Sequence, residues 1–185
     1  MRNKTAFSLA FCALFAAFTA VMSQLSIPIQ PIPINLATLS VYLAGAVLGA
    51  KYGTVSQAIY VLLGAVGLPV FAQLSGGIYV ILGPTGGYII GYIAAAWLIG
   101  SLCDRFGRRI PQLALFMTAG ILFCYLLGTA WFMFVTKTGL FASLTMCVFP
   151  FLPGDAAKIA FAAMLSPRLN TAVQKQLPVR AQGFR

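Results

Sequence analysis

Long apolar segments separated by short connections constrain the fold of this chain more than any other feature. Hydrophobic residues make up 61% of the 185 residues and charged residues only 8%. A soluble core of this size does not need so much apolar surface, so the sequence predicts an integral membrane protein. We expect an all-α, polytopic fold that forms one membrane domain over residues 1–185.

The apolar segments predict six transmembrane helices. The first is close to the roughly 20 residues that cross a bilayer, and it lacks the clear cleavage site of a signal peptide, so we interpret it as a retained span. The second and third look short and are expected to extend into the flanking loops. The predicted helices cover residues 5–25, 36–50, 53–67, 84–102, 112–135 and 154–169.

The basic residues predict the orientation of these helices. Six crossings put both termini on one side, and with the N-terminus inside, only Lys137 and Lys158 of the twelve basic residues fall on the outer half. This bias predicts cytoplasmic termini. Because the basic residues end apolar segments instead of lining a solvated face, the net charge of +10 does not indicate a nucleic-acid-binding protein.

Two connections on the predicted outer side are uncharged and rich in proline or glycine. Residues 26–35 read SIPIQPIPIN, in which three prolines exclude a regular helix. Residues 68–87 read LPVFAQLSGGIYVILGPTGG, in which glycines permit close backbone approach to a ligand. Non-helical backbone at membrane depth is tolerated when it lines a cavity, so we interpret both as caps. The alternative for the first is an interfacial loop.

The last predicted helix contains two opposite charges. The chain has two acids, and Asp104 lies beside arginines as a loop acid would. Asp155 instead lies between apolar segments, with Lys158 three residues later on the same helix face. Such charges usually mark a substrate or ion site, here for an anionic or amide-bearing small molecule. The alternative is a structural ion pair, or a cap in which Asp155 accepts backbone N–H groups.

The residue types argue against catalysis. Without histidine no Ser/His or Cys/His couple can form, and the motifs for metal ligation and for nucleotide phosphates are absent. We therefore expect neither an enzyme nor a resident cofactor or metal, and an ATP-driven machine would need other subunits. The cysteines are interpreted as small buried hydrophobic residues: Cys12, Cys103, Cys124 and Cys147.

Alanines form one stripe along the first predicted helix, at alternating steps of four and three. In lipid such a stripe lets another helix approach closely. The partner helix could belong to this chain or to another subunit. The stripe consists of Ala6, Ala10, Ala13, Ala17 and Ala20.

Five motifs, spread over nearly the whole chain, carry a resemblance to a known family. They are Gln30-Pro31-Ile32-Pro33, Leu43-Ala44-Gly45-Ala46-Val47-Leu48-Gly49 with Tyr52-Gly53, Gly67-Leu68-Pro69-Val70-Phe71, Gly83-Pro84-Thr85-Gly86-Gly87-Tyr88, and Pro153-Gly154-Asp155 with Lys158. With these motifs the chain resembles BioY, the biotin-specific substrate-binding (S) component of energy-coupling-factor (ECF) transporters.

The resemblance implies a prokaryotic plasma-membrane protein that captures biotin on the outer side, with a T component and two ATPases as partners. It places Asp155 and Lys158 in the biotin pocket, makes the two caps its lids, and makes the alanine stripe the surface that docks on the T component. The complete set of predicted ligand-binding residues is Asp155, Lys158, Gly83, Pro84, Thr85, Gly86, Gly87, Tyr88, Gln73, Tyr79, Tyr92 and Asn35.

Alternatives stay open at this point. The tyrosines could instead form an interfacial aromatic belt, and the neutral polar residues could satisfy local backbone. The chain could be an S component for another vitamin. It could also be a membrane scaffold protein that binds no small molecule and uses its alanine and glycine seams for partner contacts alone.

Overall fold

The computed structural model describes residues 4–28 and 31–176, and the all-α membrane fold is confirmed. Within these described ranges, five helical stretches are long and apolar enough to cross a membrane. The elements are α1 (Lys4–Gln24), β1 (Ser26–Ile27), β2 (Ile34–Asn35), α2 (Ala37–Ala65), α3 (Ile78–Leu82), α4 (Gly86–Phe106), α5 (Ile110–Thr136), α6 (Leu140–Cys147) and α7 (Leu152–Gln176). Strands β1 and β2 pair antiparallel, so the proline-rich connection begins and ends in extended backbone.

Helix α2 consists of two helices, because the chain reverses at Gly49. Its φ of 77° and ψ of −175° are accessible to glycine and strained for other residues. A Cβ on Gly53 would lie 2.8 Å from the carbonyl oxygen of Ala44. In a continuous helix, residues nine positions apart are separated by about 13 Å, so the two halves fold back on each other. These halves correspond to the predicted helices 36–50 and 53–67.

An ion pair fastens this reversal. Asp104 Oδ2 accepts the Ala50 N–H at 3.0 Å, and Arg108 Nε donates to the Ala46 carbonyl at 2.7 Å. The two side chains are joined at 2.9 Å. They therefore satisfy backbone groups that the adjoining helix ends leave free. Asp104 lies in the last turn of α4, so its interpretation as a loop acid was wrong.

Helix α1 contacts α2 through a polar face. Thr19 Oγ1 lies 2.7 Å from Ser40 Oγ and accepts a hydrogen bond from Gln57 Nε2 at 3.1 Å, with all three side chains buried. This network joins α1 to both halves of α2, as interhelical hydrogen bonds do in membrane proteins. The alanine stripe faces away from it: Ala6, Ala10, Ala13 and Ala17 are exposed and Ala20 is half-buried.

The structure differs from the prediction at two places near the C-terminal end. The connection after α5 contains α6, whose eight residues are too few to predict as a membrane span. Helix α7 continues through Pro167 to Gln176, beyond the predicted end at residue 169, so residues 170–176 are helical although they are polar. The rest of the predicted polar tail, residues 177–185, lies outside the described residues, as do Ile29 and Gln30 of the first cap.

The reversal gives a test of the fold. We expect Gly49→Ala to lower the free energy of unfolding by about 1–3 kcal/mol, because a Cβ is strained at this backbone geometry. Thermal unfolding in detergent measures the effect. Gly139→Ala is the matched control, because Gly139 has a φ of −70° and its added Cβ would meet no atom within 4 Å. Equal stability of both variants would contradict the strained reversal.

Candidate ligand-binding site

A cavity of about 430 Å³ lies at the end of the helical bundle opposite the Gly49 reversal. Its volume falls within the range of small-molecule pockets. The proline-rich connection, the segment before α3, and helices α4, α5 and α7 all contribute to its wall. The cavity therefore forms only when elements spread from Pro31 to Lys158 have assembled.

Asp155 and Lys158 form a buried ion pair in this wall. Asp155 is 3% exposed and Lys158 is 8% exposed, and Lys158 Nζ lies 2.9 Å from Asp155 Oδ1. They share one face because they are three residues apart near the beginning of α7. Isolated buried charges are costly, so the stability of the pair depends on the hydrogen bonds around it.

Lys158 uses its full set of donors. Besides Asp155, its ammonium donates to the Asn35 carbonyl oxygen at 2.6 Å and to Thr38 Oγ1 at 3.1 Å. An ammonium has three N–H donors, so a ligand that bonds to Lys158 must replace one of these partners.

Asp155 keeps capacity for one more hydrogen bond. Its Oδ1 accepts from Lys158 and from the Thr38 hydroxyl at 3.1 Å, and its Oδ2 accepts from the Tyr125 hydroxyl. A carboxylate has about four acceptor sites, and these contacts occupy three of them. The remaining site on Oδ2 can accept an N–H or O–H donor of a ligand without displacing a protein group.

The cavity combines these polar groups with apolar and aromatic surface. Tyr60 and Tyr92 have ring centroids 6.5 Å apart, and Tyr60 also contacts Phe71 edge to face. All three line the cavity. A few fixed polar groups in an otherwise apolar wall are typical of sites that bind a small molecule with both a polar and an apolar part.

The structure brings seven of the predicted binding residues together around the cavity. In addition to the ion pair they include a tyrosine pair on α4 and polar residues of both caps. The seven are Asn35, Gln73, Thr85, Tyr88, Tyr92, Asp155 and Lys158.

The other five predicted residues lie away from the lining: Gly83, Pro84, Gly86, Gly87 and Tyr79. Three of these are glycines in close packing contacts. Added Cβ atoms on Gly86 and Gly87 would collide with the Ile81 carbonyl and with Trp131, and the Gly83 carbonyl accepts the Trp131 indole N–H at 3.0 Å. The glycine motif thus positions α4 beneath the cap. Tyr79 is 69% exposed, which fits the alternative of an interfacial aromatic residue.

Two residues that contact the ion pair were missed by sequence reasoning. Thr38 and Tyr125 each lie in an apolar helical segment, where one hydroxyl gives no pattern that predicts a site. The cysteines are all buried, as expected, but Cys124 and Cys147 also line the cavity.

Comparison with known proteins identifies the family. The model of the BioY family matches residues 1–175. The chain belongs to the BioY family. It is 42% identical over 159 residues to the probable biotin transporter BioY of Pyrococcus horikoshii, covering 85% of this chain and 93% of that relative. It is 40% identical over 157 residues to the biotin transporter BioY of Thermotoga maritima, covering 85% and 92%.

A solved structure shares the fold of this BioY-family chain. The crystal structure of the S-component for biotin from an ECF-type ABC transporter superposes with a TM-score of 0.86 at 30% identity, covering 92% of this chain and 94% of that one. The resemblance noted from the sequence motifs is confirmed. The chain is a multi-pass membrane protein of a transporter family and not an enzyme.

Tyr125 provides a test of the network around Asp155. We expect Tyr125→Phe to lower stability by about 1.5–3 kcal/mol, because it deletes a hydrogen bond to a buried carboxylate and keeps the ring. Thermal unfolding of the ligand-free protein in detergent measures this loss. Tyr79→Phe, at an exposed tyrosine, is the control and should change little. If both variants unfold at the wild-type temperature, Tyr125 does not support the ion pair.

Proposed function

We propose that this chain is the biotin-binding S component of an ECF-type transporter and captures biotin for ATP-driven import. The observation that carries the proposal is the buried Asp155–Lys158 pair in the wall of a cavity with apolar and aromatic surface. Biotin matches such a site, because it combines a ureido group and a carboxylate with an apolar ring and chain. The names of the curated relatives and of the solved structure support the same ligand.

Within this site, Asp155 is proposed to accept a ureido N–H of biotin. Its free acceptor position on Oδ2 makes it the charge that a ligand donor can reach without displacing the protein. Lys158 pairs with a polar end of the ligand by exchanging one of its present partners. Tyr88, Tyr92 and Phe71 supply surface for the ring and the valeryl chain.

The cavity is proposed to face outward, with the N-terminus in the cytoplasm of a prokaryotic cell. Lys51, Arg105 and Arg108 lie at the end of the bundle that contains the Gly49 reversal. The cavity is at the opposite end. Basic residues concentrate on the cytoplasmic side of membrane proteins, so this arrangement supports biotin capture from outside.

Transport is proposed to require a T component and two ATPase subunits. The sequence contains no GxxxxGK[ST] motif, so the energy must come from other chains. The exposed alanine stripe of α1 offers a flat surface against which a partner helix can pack closely.

Two isosteric substitutions test the ligand. We expect Asp155→Asn and Lys158→Met each to weaken biotin binding by about 100-fold or more, because each removes a charged partner that the bound ligand would contact, and truncating such a buried partner costs about 2–5 kcal/mol of binding free energy. Titration of the purified, correctly inserted protein with biotin measures this change. Lys137→Gln is the control, because Lys137 lies at the cavity end of α5 but outside the lining.

Titration of the wild-type protein with thiamine and riboflavin distinguishes biotin from other vitamins. Tight binding of either one, without biotin binding, would favour an S component for that vitamin. Unchanged biotin affinity in both site variants would reject the assigned roles.

The alanine stripe gives a separate prediction about partners. We expect Ala10→Leu with Ala13→Leu to reduce co-purification with the T component and ATPases, because the larger side chains keep a partner helix away. Biotin binding by the isolated protein should not change, since both positions are exposed and distant from the cavity. Leu14→Phe enlarges an exposed residue outside the stripe and should assemble normally. Normal assembly of the stripe variant would contradict docking through this face.

A further inference from the structure

The segment from Phe71 to Ser75 forms a tight, unusual turn in the cavity wall. Gln73 has a φ of 60° and a ψ of 37°, and Leu74 has a φ of 54°. Two consecutive non-glycine residues in the left-handed region are rare, above all when one is leucine. The Phe71 N–H closes the turn on the Ser75 carbonyl at 2.9 Å. This conformation persists only if neighbouring groups hold it.

One side chain outside the cavity bonds to both sides of this turn. Gln24 Nε2 donates to the carbonyls of Val70 and Phe71 at 3.2 and 3.0 Å, and Gln24 Oε1 accepts the Leu74 N–H at 2.9 Å. The amide thus pairs donors and acceptors of backbone that no regular secondary structure would satisfy. Ser23 Oγ adds a hydrogen bond to the Val70 carbonyl at 2.5 Å.

The turn carries residues that face the proposed ligand, whereas Gln24 does not. Phe71, Ala72, Gln73 and Ser75 line the cavity, and Gln24 is not among the lining residues. Gln24 is the last residue of α1, which the buried Thr19 network fixes to α2. Any effect of Gln24 on the ligand must therefore pass through the position of the turn.

We propose that Gln24 is a positioning residue that holds the Phe71–Ser75 turn closed over the cavity and thereby slows ligand release. This inference rests on the proposed function, because it takes biotin as the ligand. The left-handed backbone of Gln73 and Leu74 is strained and favours relaxation of the turn. The hydrogen bonds of the Gln24 amide, at the end of α1, oppose this relaxation. In this proposal the ligand leaves past the Phe71–Ser75 turn, which forms part of the cavity wall, so weakening the amide contacts raises the dissociation rate more than it changes the association rate.

The test compares Gln24→Ala and Gln24→Glu with Leu25→Ala. Gln24→Glu keeps an oxygen acceptor for the Leu74 N–H but directs a carboxylate at two carbonyl oxygens, so it separates the donor contacts from side-chain size. Leu25 is the adjacent residue and is 55% exposed, which makes it a matched control. Release of labelled biotin from purified protein should be about tenfold faster in both Gln24 variants and unchanged in Leu25→Ala.

Hydrogen exchange on the ligand-free proteins separates positioning from a general structural role. We expect faster exchange confined to residues 70–76 in the Gln24 variants, with residues 37–65 unchanged. Faster exchange throughout the protein, or biotin release equal to that of Leu25→Ala, would overturn the proposal. If the wild-type protein does not bind biotin, the proposed function fails, and local exchange at residues 70–76 still decides whether Gln24 holds the turn.

Discussion

The buried ion pair between Asp155 and Lys158 is the constraint on which the rest of the site depends. Two charges in a low-dielectric interior are stable only when their remaining hydrogen-bonding groups are satisfied as well. Here the partners come from β2, the first turn of α2 and the middle of α5. Asn35 and Thr38 are more than 110 residues, and Tyr125 is 30 residues, from the members of the pair that they contact, so the pair is satisfied only when these parts of the bundle have assembled. The cavity forms beside it as part of the same assembly.

The hydrogen bonds around the ion pair suit a site that discriminates among small molecules by their donors. Lys158 already has three partners, whereas Asp155 has three of about four acceptor positions filled. A molecule with only apolar surface would cover the remaining acceptor site of Asp155 and would leave that site without a hydrogen bond. A molecule with an N–H donor at that point completes the network. Selectivity can thus arise from the unmet capacity of one oxygen in an otherwise saturated cluster.

The sequence singled out Asp155 and Lys158 more readily than the other residues of the cavity wall, for a physical reason. Asp155 and Lys158 stand out because charges are rare in segments that enter lipid. Thr38 and Tyr125 are equally central, but one hydroxyl in an apolar helix is common and becomes informative only when tertiary packing places it beside a carboxylate. The glycines at positions 86 and 87 were predicted as ligand contacts, whereas packing against Ile81 and Trp131 occupies them.

The same limits apply to the fold. The break between the second and third helices could be predicted from the residues around Gly49, because glycine permits a backbone that other residues avoid. The sequence could not predict that Asp104 and Arg108 stabilise this break, because their partners are main-chain atoms more than fifty residues earlier. Helix α6 escaped prediction because eight mostly apolar residues do not distinguish a short helix from a loop between spans.

At both ends of the bundle, side chains satisfy backbone groups that regular secondary structure leaves unpaired, but the two ends use different side-chain types. At the Gly49 end, the Asp104–Arg108 pair satisfies backbone groups of the adjoining helix ends, and its partial exposure to salt and water lowers the cost of the charges. At the cavity end, the neutral amide of Gln24 does the equivalent work for the Phe71–Ser75 turn. A neutral amide supplies both N–H donors and an oxygen acceptor to the backbone of the turn, so one side chain holds both sides of it without burying a charge there.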